Sequence, residues 1–250
     1  VALTFGAATT DRVDIALGLG TPSALSILMW VYPTTRTNAR RWWAQSGTEG
    51  GVYSHNILWN FVGTGIEIEV VRTTSSAIVV TSDTWTLNKW WCLVVTYSEA
   101  DGIDAYRGDL TTELAQLTYS TDTTGVGTTK TAAEDRHQIS NIGTNNTFQG
   151  RIARAVRWRR RMTLAEAIGQ QWITRPDADT DFFFELGYAG TGTQPNLTSL
   201  GNGKNGTVTG ATVSDHAPLP MKIIPRRSYY KPPTETSGLQ LRTITSQLRF

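Results

Sequence analysis

The sequence predicts an all-β chain, a two-sheet antiparallel jelly-roll sandwich with one short helix and an extended C-terminal arm. Three observations support this. Threonine, valine, isoleucine and aromatic residues dominate short runs that fit a pleated, half-buried surface. Gly, Asn, Asp and Thr clusters separate the runs at sandwich-like spacing. A single segment carries both the start and the stop signals of a helix.

Seven runs read as strands: Leu25–Tyr32, Gly51–Val62, Gly65–Arg72, Ala77–Thr81, Trp90–Tyr97, Ile103–Tyr106 and Gln149–Trp158. In Gly65–Arg72, Ile66, Ile68 and Val70 alternate with Glu67 and Glu69, which places the apolar set inward and the carboxylates outward. The helix begins at Thr163-Leu164-Ala165-Glu166, a capping box in which the threonine hydroxyl takes the N3 amide and the glutamate reaches back. Leu164, Ile168 and Trp172 follow at helical spacing. Arg175-Pro176 ends it, because a residue before proline avoids the helical region.

The 250 residues suit one large β domain, with 39% hydrophobic and 18% charged side chains and a net charge of +2. That balance excludes a wholly disordered chain, and the single cysteine excludes a disulfide framework or a cysteine-built zinc site. No apolar run reaches the roughly 18 residues of a membrane span, so no membrane partner is expected. No basic n-region and apolar h-region open the chain. With Cys92 read as a buried small hydrophobe in WWCLVVTY, synthesis in a reducing cytoplasm is expected, and the Asn-x-Thr triplets at Asn145, Asn196 and Asn205 read as chance.

From Pro218 the composition changes. Residues 218–250 hold five of the nine prolines and a net charge of +5, which leaves the body at −3. Prolines block helix and central-strand pairing, so the division expected is a jelly roll over 1–217 and a basic, proline-rich extended arm over 218–250. Lys222, Arg226 and Arg227 give the arm charge, and Tyr229 and Tyr230 give it aromatic surface. Leu239 and Leu241 alternate, and Ile244, Leu248 and Phe250 supply apolar anchors. The arm is expected to bind a neighbouring subunit, adding a strand to its sheet.

The run FQGRIARAVRWRRRMTLAEA, Phe148 to Ala167, resembles the last strand and helix start of laminin-G-like, concanavalin A-like jelly rolls, with Gly150, Ile152, Arg160 and Met162-Thr163 at the pattern positions. WTLNKWWCLVVTYSEADGIDAYRGD is similar to that family's middle hairpin, and Ala24 to Thr35 to its early inner strand. Ser199 to Val213 looks like a glycine-asparagine segment that these proteins place before the fold. The resemblance covers most of residues 1–215. It implies two antiparallel sheets packed face to face and no single activity, since members bind sugars or proteins, act as glycosidases or serve as structural modules. The single-domain style resembles tailed-phage virion proteins. Where the family often has acids after the position of Ile152, this chain has Ala153 and Arg154.

Candidate chemistry is sparse. Glu67 and Glu69 share one face of a strand, as the acids of laminarinase-type glycosidases do, but Val71 and Arg72 stand where a third acid would follow. His55, His137 and His216 have no zinc-site spacing and are expected at the surface. Asp177, Asp179 and Asp181 resemble the opening of a calcium loop, but Phe182 and Tyr188 replace its glycine and final glutamate, leaving only an irregular calcium site; no other cofactor or metal is expected. Arg151, Arg154, Arg157, Arg159, Arg160 and Arg161 fall within eleven residues. Strand parity puts 157 and 159 on one face with 151, and 154 on the other. Arg157, Arg159, Arg160 and Arg161 form a candidate patch for an acidic partner through bidentate pairs. Nucleic acid is disfavoured, because the body is slightly acidic and no aromatics interleave as stacking platforms. Trp30, Trp85, Trp90, Trp91 and Trp158 are expected in the core, whereas Trp42, Trp43 and Trp59 are candidates for stacking on sugar rings.

Taken together, these features are read as a non-catalytic structural protein of a larger assembly. A virion decoration, cement or fibre-associated subunit holding its neighbours through the arm fits them first. A carbohydrate-binding, lectin-like module is the alternative, and a laminarinase-type glycosidase comes third.

Overall fold

The computed structural model describes residues 2–6, 8, 10–15, 21–36, 40–46, 53–59, 65–130, 136–140, 147–198 and 205–215. In chain order the elements are β1 (Ala2–Phe5), β2 (Arg12–Ile15), β3 (Ala24–Pro33), β4 (Arg41–Ser46), β5 (Tyr53–Trp59), β6 (Ile66–Val70), β7 (Ala77–Thr81), β8 (Trp91–Ser98), β9 (Gly102–Asp109), β10 (Ala115–Gln116), β11 (Tyr119–Thr123), β12 (Arg136–Ile139), β13 (Gly150–Trp158), α1 (Leu164–Trp172), β14 (Thr180–Glu185), β15 (Gly206–Thr209) and β16 (Thr212–Ser214). The arm expected over 218–250 lies outside the described residues, and so does His216.

The strands form two antiparallel sheets. Sheet A runs β10-β9-β8-β3-β13-β1-β16, with β14 also paired to β13, and sheet B runs β11-β7-β6-β5-β4-β12-β2-β15. Period-two alternation drives the packing between them. Ile27, Met29 and Val31 of β3 and Leu93 and Val95 of β8 face Ile57, Ile66, Ile68 and Val79 of sheet B in one buried apolar cluster. Each fully buried large side chain contributes on the order of 1.5–3 kcal/mol. In β6 the isoleucines are buried and Glu67 and Glu69 only half-buried, as the alternation requires. Close chain approach fixes the entry to that strand, for a Cβ on Gly65 would stand 1.8 Å from the Thr81 carbonyl oxygen.

Sheet A buries its other face as well. Leu28, Trp30, Cys92, Val94, Val156, Trp158 and Phe183 form a second cluster beneath Met162, Ala167 and the half-buried Leu164, Ile168 and Trp172. The capping box is formed: Thr163 Oγ1 accepts from the Glu166 amide at 3.3 Å, and Glu166 Oε2 accepts from the Thr163 amide at 2.8 Å. Gln171 pins the helix down. Its Oε1 accepts from the Leu114 amide at 3.0 Å, and its Nε2 donates to the carbonyls of Asp109 and Thr112 at 3.0 and 2.8 Å. Burial pushes the Cys92 thiol far above its ordinary pKa, in keeping with a packing role.

β-Bulges correct the strand parity expected for the arginines. In β13 the register slips between Ile152 and Arg154, so one residue is inserted and every later side chain changes face. Arg151 lies over Tyr32 and Arg154 over Phe183, both on the outer side of sheet A, while Arg157 points between the sheets. A second slip, between Arg157 and Trp158, leaves Asp181 unmatched in the ladder, and its carboxylate turns to the arginines.

Candidate functional site

The outer faces of the two sheets differ. That of sheet A is apolar and sealed by α1, whereas that of sheet B is polar. Three triplets share one apolar-polar-apolar beat or its histidine variant: Val13-Asp14-Ile15 on β2, His55-Asn56-Ile57 on β5 and His137-Gln138-Ile139 on β12. Val13, Ile15, Ile57 and Ile139 enter the inter-sheet core, so the middle residue of each points away from it. Register aligns these middle residues in one row across the sheet, Thr207–Asp14–Gln138–Ala44–Asn56–Glu69–Ile78.

The centre of the row is deep. Gln138 is 1% exposed, Asn56 2% and Ala44 0%, although all point away from the inter-sheet core. Asp14 and Glu69, flanking them, are half-buried. The hydrogen bonds fix the amides. Arg12 Nε donates to Asp14 Oδ2 at 2.7 Å, and Gln138 Nε2 donates to Asp14 Oδ1 at 2.6 Å. Arg41 Nε donates to Asn56 Oδ1 at 3.2 Å. Gln138 Oε1 is buried with no hydrogen-bond partner. An unmet buried acceptor costs about 1–3 kcal/mol, and such groups are rare enough to call for an explanation. The row was missed by sequence reading because its members are scattered over the chain; the recurrent triplet was the available signal.

Behind the row, between the sheets, lies a buried polar layer. Arg157 is 0% exposed and His137 0%. Arg157 Nη1 lies 3.1 Å from Asp181 Oδ2 and 3.1 Å from His137 Nε2, and Nη2 donates to Gln45 Oε1 at 3.4 Å. A guanidinium only donates, so His137 Nε2 accepts and the ring proton sits on Nδ1. The ring stacks on Trp43 with centroids 5.8 Å apart. His55, 1% exposed, is held well below the ordinary histidine pKa, first by burial and then by the positive Arg157. A small void among Trp43, His55, Ile68, Val95 and Tyr97 has room for about one water molecule.

These positions correct several expectations. His55 and His137 are interior, not surface, residues. Trp42 and Trp43 are buried in the inter-sheet core, where Trp42 packs against Trp85 and Phe148 at 5.0 and 5.6 Å. The bulge between Arg41 and Trp43 turns both indoles inward and closes them to sugar stacking. Trp59 is in β5, but its side chain lies outside the described residues.

The arginine patch is likewise spent inside the chain. Arg157 is interior, and Arg159 binds Asp181 at 2.6 Å. Arg160 reaches Glu166 at 2.7 Å and Asp177 at 3.1 Å, while Arg161 pairs with Asp101 at 3.1 Å and with Asp104. The calcium reading falls with it. Asp177 and Asp181 already face guanidinium groups, and Asp177 Oδ1 accepts from the Asp179 amide and the Thr180 hydroxyl, each at 3.0 Å. Among the described residues no three His, Cys, Asp or Glu side chains converge as metal ligands, and no helix is long and apolar enough to cross a membrane.

No protein-family model matches the sequence, and no curated protein matches it. Solved structures do match by fold. A proposed carbohydrate-binding protein of Bacteroides ovatus superposes with a TM-score of 0.61 at 14% identity, over 86% of this chain and 59% of its own. This chain thus spans less than two thirds of that protein. The heptameric SAP-like pentraxin of Limulus polyphemus superposes with a TM-score of 0.60 at 11% identity, over 87% of this chain and 97% of its own. Domains LG4-5 of the mouse laminin α1 chain reach 0.45 at 13% identity, over 78% of this chain and 51% of theirs. Identities this low speak to fold. With two face-to-face antiparallel sheets and one short helix among the described residues, the chain has a jelly-roll fold of the kind seen in the Bacteroides ovatus protein and the Limulus pentraxin.

Proposed function

We propose that the protein is a non-catalytic carbohydrate-binding module whose ligand lies on the outer face of sheet B. One observation carries the reading: a cross-strand polar row on the outer face of sheet B, whose flanking Asp14 and Glu69 are half-buried and so present hydrogen-bonding groups at the surface. A sugar hydroxyl both donates and accepts, so it suits the carboxylates of such a row. The fold is also that of the proposed carbohydrate-binding protein of Bacteroides ovatus, which supports this reading over that of a structural subunit. The subunit reading, with its virion location, rests on the arm outside the described residues. Display of the module on a larger assembly is compatible with both.

The test is a glycan array followed by calorimetric titration of the intact chain, with reducing-end assays on any ligand found. Saturable binding without release of reducing ends, weakened in Asp14→Ala, is expected. A chain that binds no glycan contradicts the reading. Reducing-end release lost in Glu67→Gln or Glu69→Gln returns the glycosidase in its place.

A further inference from the structure

The turn that follows β14 is built to present one aromatic ring. We infer that the loop of residues 188–193 is a second sugar-binding contact, with Tyr188 as the platform on which a pyranose ring stacks. This rests on the carbohydrate-binding reading and adds a contact apart from the outer face of sheet B.

The loop is the tip of a hairpin-like pair of segments. The Leu197 amide donates to the Phe183 carbonyl at 2.8 Å, and the Gly187 amide donates to Gln194 Oε1 at 2.8 Å, so residues 183–187 and 194–197 run side by side. None of residues 188–193 joins either apolar cluster, so core burial does not order them. One side chain does. Gln194 is 0% exposed, and its Nε2 donates to the carbonyls of Gly190 and Gly192 at 2.9 and 3.0 Å. Gly187 and Gly190 turn the chain with φ of +84° and +69°, values that a residue with a Cβ rarely adopts. The Gln194 backbone pairs with Gly206, which roots the loop at β15, the edge strand of sheet B.

What this scaffold holds up is Tyr188. It is 71% exposed, the most exposed large apolar side chain among the described residues. Its amide donates to the Glu185 carbonyl at 3.2 Å, so the backbone beneath the ring is fixed. A tyrosine on a fixed backbone offers broad, flat contact area with only two side-chain torsions to freeze, and such preorganisation lowers the cost of binding. The composition of the loop selects the ligand. Residues 186–203 contain no charged side chain, and Glu185 at the base is turned to Arg154 at 2.7 Å, so the loop offers no counter-charge to an ionic partner. A purely apolar partner would want a continuous patch, whereas Tyr188 is one ring on a loop whose Thr191 and Thr193 are exposed. Their hydroxyls both donate and accept. A flat apolar face with hydroxyls on the same loop is complementary to a sugar ring, which has a C–H face and a hydroxyl rim.

The experiment titrates the intact chain with neutral gluco-, manno- and galacto-oligosaccharides by calorimetry, and follows the sugar protons of the tightest one by nuclear magnetic resonance. Tyr188→Phe keeps the ring and is expected to bind as the parent does. Tyr188→Ala should lower the affinity by about fivefold to tenfold with an unchanged thermal unfolding midpoint, because the side chain lies outside both apolar clusters. Ring-current shielding of the sugar C–H protons, present with the parent and Tyr188→Phe, should vanish with Tyr188→Ala. Binding by Tyr188→Ala as tight as the parent's overturns this inference and leaves the sheet B reading standing. Equal weakening in Tyr188→Phe and Tyr188→Ala also overturns it, since the hydroxyl rather than the ring would then be the contact. Weakening in Tyr188→Ala with none in Asp14→Ala upholds the loop and overturns the site on sheet B. Failure of every probe to bind the parent overturns both.

Discussion

Arg157 of sheet A and Asp181 of β14 meet between the sheets at 3.1 Å, with side chains 0% and 6% exposed. Removing one member of a buried ion pair leaves the other charge without its partner, at a cost of about 3–5 kcal/mol. Arg157→Met should therefore lower stability by that order in urea unfolding. Replacing both residues with apolar ones of similar volume should cost much less than the single change. If Arg157→Met is as stable as the parent, the pair is not holding this end of the sandwich together.

Acidification should act on the same layer. The folded chain holds His55 below its ordinary value of 6.5, so the unfolded chain takes up this proton first as pH falls. Stability contributed by the neutral ring is then complete above about pH 7 and lost progressively below about pH 6.5. Arg157 and His137, the ionisable groups that act on the ring after burial, push in the same direction. Urea midpoints between about pH 7.5 and about pH 5 should fall more steeply in the parent than in His55→Gln. Equal slopes would remove His55 from the account.

The helix should be separable from the sandwich energetically. Gln171→Leu deletes three hydrogen bonds and orphans the buried Leu114 amide, worth about 2–4 kcal/mol together. Thr163→Ala removes only the cap and should cost about 1 kcal/mol. Thermal unfolding orders the two variants, and a larger effect at Thr163 would contradict the pinning role given to Gln171.

Local pattern made much of this fold legible. Glu67 and Glu69 alternate with buried isoleucines as read, the capping box at Thr163 opens a real helix, and Trp30, Trp85, Trp90, Trp91 and Trp158 are in the core. What escaped depends on partners far away in sequence. β14 shows no alternation, because Phe182 and Phe184 enter one cluster and Phe183 the other. Arg157 looked like a surface cation because its partners, Asp181, His137 and Gln45, arrive from other strands. A bulge defeated the face assignment of Arg154 and Arg157 relative to Arg151, since one inserted residue flips all that follow. The candidate site escaped for a related reason: Asp14, Asn56 and Gln138 become neighbours only through strand order.

The most direct measurement is nuclear magnetic resonance of the intact chain titrated with the tightest oligosaccharide found, following the backbone amide signals. The account predicts that the amides of Asp14 and Glu69 and their strand neighbours on sheet B shift together, with sheet A unperturbed. Shifts confined to sheet A, with Asp14 and Glu69 unmoved, would contradict it.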